Sequence, residues 1–377
     1  MVTNVYFATN RTEPETEGGQ FGDRFHKDGP HFYRVGEAEV TWPEIETPPD
    51  GGFVSDDTAF DAWDDCKVSY ELEPETAPEA IEAASTPELT HKSGAGGEAG
   101  SSNLFSGLRG DPDKDEPDIL VYIHGFANTF DSAMSRAAQL KEMYRIPAPA
   151  DGVERKPDVF AFSWPSNGAV QPPWEYANDR EDAAFSGIAM ARALQRLLDF
   201  LAAQDKPCKR RLHLVAHSMG NWALRHAVQG LLMLNDGARL EKIFDNVFLM
   251  AADEDEDCFE HRDKLAALTE MARRVHVYHA ADDLPMHVSD KTKFNMDRLG
   301  TDGPRSFSGL SSRITAIDCN AVSDTLFAHG RHQYYRLRKE VLADIRHVLS
   351  GRYISSPVPG RDVIEPGRRY RLTDHTP

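Results

Sequence analysis

From Pro117 onward the chain alternates short, continuous apolar runs with amphipathic stretches of helical period, and this alternation is what most constrains its fold. Apolar runs at 118–123, 159–164, 212–216, 246–251, 275–278 and 313–317 lack the in-out alternation of a half-solvated strand. They must be buried on both faces, as parallel strands are. Helical stretches at 132–144, 180–203, 221–234, 263–274 and 334–349 separate or follow them. Repeated βα units joined by right-handed crossovers give an α/β chain with a doubly wound, mostly parallel sheet and helices on both faces.

The 377 residues would on average make about two domains, but charge divides this chain differently. Of the formal charge of −19, residues 1–117 carry 26 acidic and 8 basic side chains, and the other 260 carry 35 and 34. Two early strands are expected, at 5–9 and from 31 to 40. They make residues 1–44 the N-terminal strands of the sheet. Residues 45–116 read as an acidic, partly flexible insertion between early strands, with a Gly/Ser-rich linker at 93–102. A core at 117–353 and a C-terminal tail at 354–377 complete the division. The acidic field argues against nucleic acid and anionic membranes as partners. No apolar run reaches the roughly 18 residues of a spanning helix, and the N-terminus lacks a secretory pattern. Four cysteines with no paired spacing exclude a zinc knuckle or disulfide framework, so a cytoplasmic protein with reduced thiols is expected. No nucleotide-binding glycine pattern is present, so no cofactor is implied, and no histidine pair has metal-ligand spacing.

The segment Leu214-Val215-Ala216-His217-Ser218-Met219-Gly220-Asn221 places a serine between a buried strand and a helix. Small residues two before and two after, Ala216 and Gly220, fit a turn sharp enough to expose the Ser218 hydroxyl as a nucleophile. In that context an acid and then a histidine follow the serine along the chain. Asp283, after the second strand beyond the serine, is favoured as the acid, with Asp253 as the alternative. The run 253–257 also reads as a structural loop or a cation site. His332, in the loop before the last helix, is favoured as the base, with His329 as the alternative. Oxyanion donors are expected at the backbone N–H of Met219 and at that of Phe126, in the His124-Gly125-Phe126-Ala127-Asn128 loop; His124-Gly125 also fits a plain tight turn. Candidate pocket-lining segments are 164–166, 172–174 and 284–286.

Taken in order, these motifs resemble the α/β-hydrolase superfamily, and within it a bacterial family of unknown function. The resemblance rests on Val5-Tyr6-Phe7-Ala8-Thr9-Asn10-Arg11, His124–Asn128, Phe162-Ser163-Trp164-Pro165-Ser166, Tyr176-Ala177-Asn178-Asp179-Arg180, Ala216–Asn221, Ala252-Asp253-Glu254-Asp255, Val277-Tyr278 leading to Asp283, and His332-Gln333-Tyr334-Tyr335. It implies a triad of Ser218, Asp283 and His332, and it supplies no substrate. Ala252 stands where a proline is expected, and the acidic insertion is unusually long. The expected activity is serine-dependent hydrolysis of a carboxylic ester, with a small-molecule acyl substrate. Acyl transfer, thioester hydrolysis and peptidase chemistry use the same nucleophile. A hydrolase fold kept as a binding scaffold is the non-enzymatic alternative.

Overall fold

The computed structural model describes residues 1–16, 18–42, 66–73, 100–111, 116–147, 154–170, 174–202, 209–283, 298–322, 332–351 and 358–373. Eleven strands form one sheet: β1 (Val2–Thr9), β2 (Arg34–Thr41), β3 (Lys67–Leu72), β4 (Ile119–Ile123), β5 (Asp158–Ser163), β6 (Leu212–His217), β7 (Phe244–Met250), β8 (Ala272–His279), β9 (Ile314–Asp318), β10 (Arg361–Glu365) and β11 (Arg369–Leu372). Their spatial order is β10-β11-β9-β8-β7-β6-β4-β5-β1-β2-β3. Every pairing from β1 through to β11 along the middle of the sheet is parallel. Only β2 and β3 on one side and β10 on the other run antiparallel to their neighbours. This is the α/β-hydrolase fold, with a mostly parallel sheet.

The continuous apolar runs are buried on both faces because each alternate residue meets a different helical layer. On β4, Ile119, Val121 and Ile123 join the core formed with α1 (Gly100–Arg109), α4 (Gly187–Ala202) and α5 (Gly220–Leu234). Leu120 and Tyr122 face the other way, into the core formed with α2 (Phe130–Met143) and α6 (Lys339–Leu349). β4 leads on to β5 on one side and β6 to β7 on the other, so the winding reverses between β6 and β4, and both strands end at that switch point, where ligands of such sheets bind.

Several boundaries differ from the sequence reading. The stretch 45–116 is not simply an appendage. Its segment 67–72 alternates apolar Val68, Tyr70 and Leu72 with polar residues and pairs along β2 as the edge strand. Its α1 buries Leu104, Phe105 and Leu108 against the sheet. The tail 354–377 likewise supplies β10 and β11. The expected helix at 180–203 is two helices, α3 (Trp174–Phe185) and α4, interrupted at Ser186. Gly187 restarts the helix where a Cβ would lie 2.4 Å from that of His226 on α5, so the two helices pack with no side chain between them. The helix expected at 263–274 is a series of turns and one helical turn, Leu268–Met271, before β8 takes over at Ala272. The stretch 334–349 breaks at Arg338, whose φ of −99° and ψ of 120° are extended.

Candidate active site

The turn after β6 holds Ser218 in the left-handed region, at φ +54°. For a residue with a Cβ that conformation costs on the order of 1–3 kcal/mol. It persists because its backbone is bonded on both sides. Ser218 N–H donates to Met250 O at 2.9 Å, and Ser218 O accepts from the N–H of Asn221 at 3.0 Å and of Asp253 at 3.2 Å. The Asn221 side chain adds bonds to Ala216 O and Ser218 O, both at 3.1 Å. Gly220 is required: a Cβ there would sit 2.6 Å from the carbonyl oxygens of both Ile123 and His124. A Cβ on Gly125 would come within 2.9 Å of Ser218 Cβ, so the His124-Gly125 turn lies directly against the serine.

Asp283 and His332, 49 residues apart, meet: the carboxylate oxygen is 2.7 Å from His332 Nδ1. Asp283 is fully buried and His332 nearly so. The ring of His217, inside the turn, packs 4.6 Å from that of His332 and 4.4 Å from that of Tyr335. Its Nε2–H donates to the carbonyl of His332 at 3.1 Å. Burial, and then the neighbouring His332, hold the His217 pKa well below the usual histidine range, so the ring is neutral. His217, which the sequence offers only as a variable position of the turn, therefore ties the turn that holds Ser218 to the His332 backbone and ring. Among the described residues, Ser218 Oγ makes no hydrogen bond. His329 lies outside the described residues.

Asp253 is elsewhere engaged. It accepts from Tyr176 Oη and pairs with Arg180 at 3.3 Å, and Arg298 Nε lies 3.8 Å away. The rest of the acidic run is also ion-paired: Glu254 with Arg225, Asp255 with Arg298 and Lys264, and Asp257 with Lys264. This is the structural-loop reading of 253–257. Arg180 in turn stacks 3.5 Å above Trp222, on α5.

The amide N–H groups of Met219 and Phe126 meet no acceptor among the described residues, whereas those of Ala127 and Asn128 are taken by Asp179 and Ser166. Below this loop His124 stacks on Trp164, with ring centroids 4.8 Å apart. Its Nε2 accepts from the Trp164 N–H at 3.1 Å and its Nδ1–H donates to Gly125 O at 2.9 Å, a fixed neutral tautomer. Burial, with Arg11 nearby, pushes its pKa down to about 3. Trp164 is wholly buried, so it belongs to the support of the loop and not to a pocket wall; Trp174 is exposed, and 172–173 and 284–286 lie outside the described residues.

The family model described as alpha/beta hydrolase of unknown function (DUF900) matches residues 102–352. The chain belongs to this family. The matched region of the DUF900 hydrolase runs from α1 past α6 and holds every candidate site residue; β1 to β3 and the terminal hairpin lie outside it. No curated protein and no solved structure was found to match the chain. Among the described residues of this DUF900 member, no helix is long and apolar enough to cross a membrane.

Proposed function

We propose that this chain is a serine hydrolase of carboxylic esters that works through an acyl-enzyme on Ser218. The observation that carries the reading is the Asp283–His332 contact, tied through His217 to the turn that holds Ser218 at positive φ. Asp283 accepts His332 Nδ1–H, which leaves Nε2 as the basic nitrogen. Nε2 takes the Ser218 proton as Oγ attacks the ester carbonyl. The N–H groups of Met219 and Phe126 stabilise the oxyanion. The imidazolium returns its proton to the departing alcohol. Water, activated by the same histidine, then releases the acid. In this reading the Ser218–His332 hydrogen bond forms in the Michaelis complex, where catalytic hydrogen bonds of this kind tighten. Transfer of the acyl group to an alcohol or amine would use identical steps with another acceptor, and thioesters and peptides are further outcomes of a substrate panel.

The test is covalent labelling with a fluorophosphonate, alongside turnover of p-nitrophenyl esters of increasing chain length. The wild type is expected to label once and to turn over short esters, and Ser218→Ala to do neither. A wild type that is unlabelled, or a Ser218→Ala variant labelled equally, overturns the assignment and leaves the binding-scaffold reading.

A further inference from the structure

Resting on that reading, we propose that Asn128 is a positioning residue that turns the Gly125–Phe126 peptide so that the Phe126 N–H faces the oxyanion, and that Arg11 and Asp179 lock the loop in that orientation. The argument begins with the peptide itself. In a planar trans peptide the C=O and the N–H point in opposite directions. The carbonyl of Gly125 and the N–H of Phe126 belong to one such unit. Gly125 O accepts from Asn128 Nδ2 at 3.0 Å and from His124 Nδ1 at 2.9 Å. The same Nδ2 also reaches Phe126 O at 2.9 Å. One carboxamide therefore draws two successive carbonyls to its own side, and the Phe126 N–H is left pointing away from it. The close approach of Gly125 to Ser218 sets the start of that peptide unit against the serine.

Asn128 is itself held at every polar group. Its N–H donates to Ser166 Oγ at 3.0 Å, its Oδ1 accepts from Arg136 Nε at 3.0 Å, and its carbonyl accepts from Arg11 Nη2 at 2.8 Å. Arg11 is 1% exposed and reaches three further oxygens: Ser163 Oγ at 2.9 Å, Ser166 O at 2.9 Å and Gly22 O at 3.2 Å. Burial pulls its pKa down to about 9, which still leaves it a cation at neutral pH. Asp179 accepts from the N–H of Ala127 and of Asn167, both at 3.3 Å, and from Ser166 Oγ. Ala127 needs that bond, because it sits at φ +56°, a strained conformation for alanine. A buried arginine that reaches four neutral oxygens is an expensive way to fill space. It makes physical sense where a loop must hold one peptide orientation without adjustment as charge develops.

The experiment uses the full chain with p-nitrophenyl acetate as substrate, fluorophosphonate titration to count active sites, and phenylboronic acid as a tetrahedral mimic. Removing a single oxyanion donor outright costs about 100- to 1,000-fold in turnover, so misdirecting one should cost roughly 10- to 100-fold. In Asn128→Ala, kcat per titrated site is expected to fall by that factor with KM within about 2-fold, and boronate affinity to weaken in parallel with kcat. Asn128→Asp keeps the volume but cannot donate to the two carbonyls, and the same loss is expected. A purely structural role would lower melting temperature and the titrated fraction while leaving kcat per site intact, and that result overturns the inference. Should both variants fail to fold, the wild type decides: with selectively 15N-labelled phenylalanine, the Phe126 amide resonance should move on boronate binding, and an unmoved resonance overturns it. A wild type inert to fluorophosphonate and ester alike would instead overturn the hydrolase reading.

Discussion

Glu254 offers the sharpest quantitative test of the region around Ser218. It is fully buried, between Asp253, whose N–H bonds to Ser218 O, and Asp255. One carboxylate oxygen lies 3.5 Å from Arg225 Nη1 and accepts from Asp255 N–H at 3.1 Å; the other has no hydrogen-bond partner among the described residues. Burial outweighs the nearby arginines and raises its pKa from 4.5 to about 7. A folded-state pKa above the unfolded one means that the folded protein retains a proton the unfolded chain gives up. Below the unfolded value both states are protonated and the group costs nothing. Between pH 4.5 and about 7 stability falls as pH rises, and above that range the cost is complete. A displacement of this size is worth about 3 kcal/mol at 1.36 kcal/mol for each pKa unit. Glu254→Gln removes the titration while keeping the shape. Its stability relative to wild type should therefore grow by about 3 kcal/mol between pH 4.5 and pH 8, as measured by urea unfolding across that range. A difference independent of pH, or one that shrinks as pH rises, would refute the argument.

Two further substitutions test the packing that frames the site. In Gly220→Ala the new methyl meets two backbone carbonyl oxygens that cannot rotate away, so the turn must open; a loss of about 1–3 kcal/mol or more and slower fluorophosphonate labelling are expected, and an unchanged melting temperature would show the turn to be softer than this. Arg361→Ala strips buried Asp344, on α6, of a β10 partner that binds it at 2.6 and 2.8 Å; breaking such a pair costs about 3–5 kcal/mol, and limited proteolysis should cut the β10–β11 hairpin first, whereas cleavage elsewhere with wild-type stability would show that this pair does not hold the hairpin to α6.

What could be read from the chain followed from short-range rules. Burial on both faces marks β4 to β9 because a strand between two helical layers has no solvent side, and small residues around Ser218 mark a sharp turn because nothing larger fits. The edge strands escaped for the opposite reason. The alternation in β3 lies among acidic and proline-rich segments, and the short β10 and β11 sit beyond the last helix, where composition suggests a tail. The 263–274 segment has helical spacing, yet β8 claims Ala272 to Arg274 because pairing with β7 supplies ladder hydrogen bonds that a marginal helix cannot match. At the site, spacing and chain order favoured Asp283 over Asp253; among the described residues Asp283 lies 2.7 Å from His332, whereas Asp253 pairs with Arg180.

The supporting shell was harder to read, because its residues are scattered along the chain. Arg11, Asn128, Ser163, Ser166 and Asp179 come from the ends of β1, β4 and β5, the loop after β5, and α3, and each alone is an ordinary polar residue beside a strand or a turn. They converge because parallel strands bring their C-terminal ends to one edge of the sheet. Charge shows the same limit of linear reading. The run 253–257 looks, in the sequence, like the acidic stretches of the first 117 residues. In the fold, four of its five carboxylates face Arg180, Arg225, Arg298 and Lys264. Those cations come from helices and loops up to 73 positions away. An acidic run inside a stretch of chain that is close to neutral overall is therefore better read as one side of an ion-pair lattice than as a repulsive surface, and the net charge is no ground for excluding an anionic ester as the substrate of Ser218.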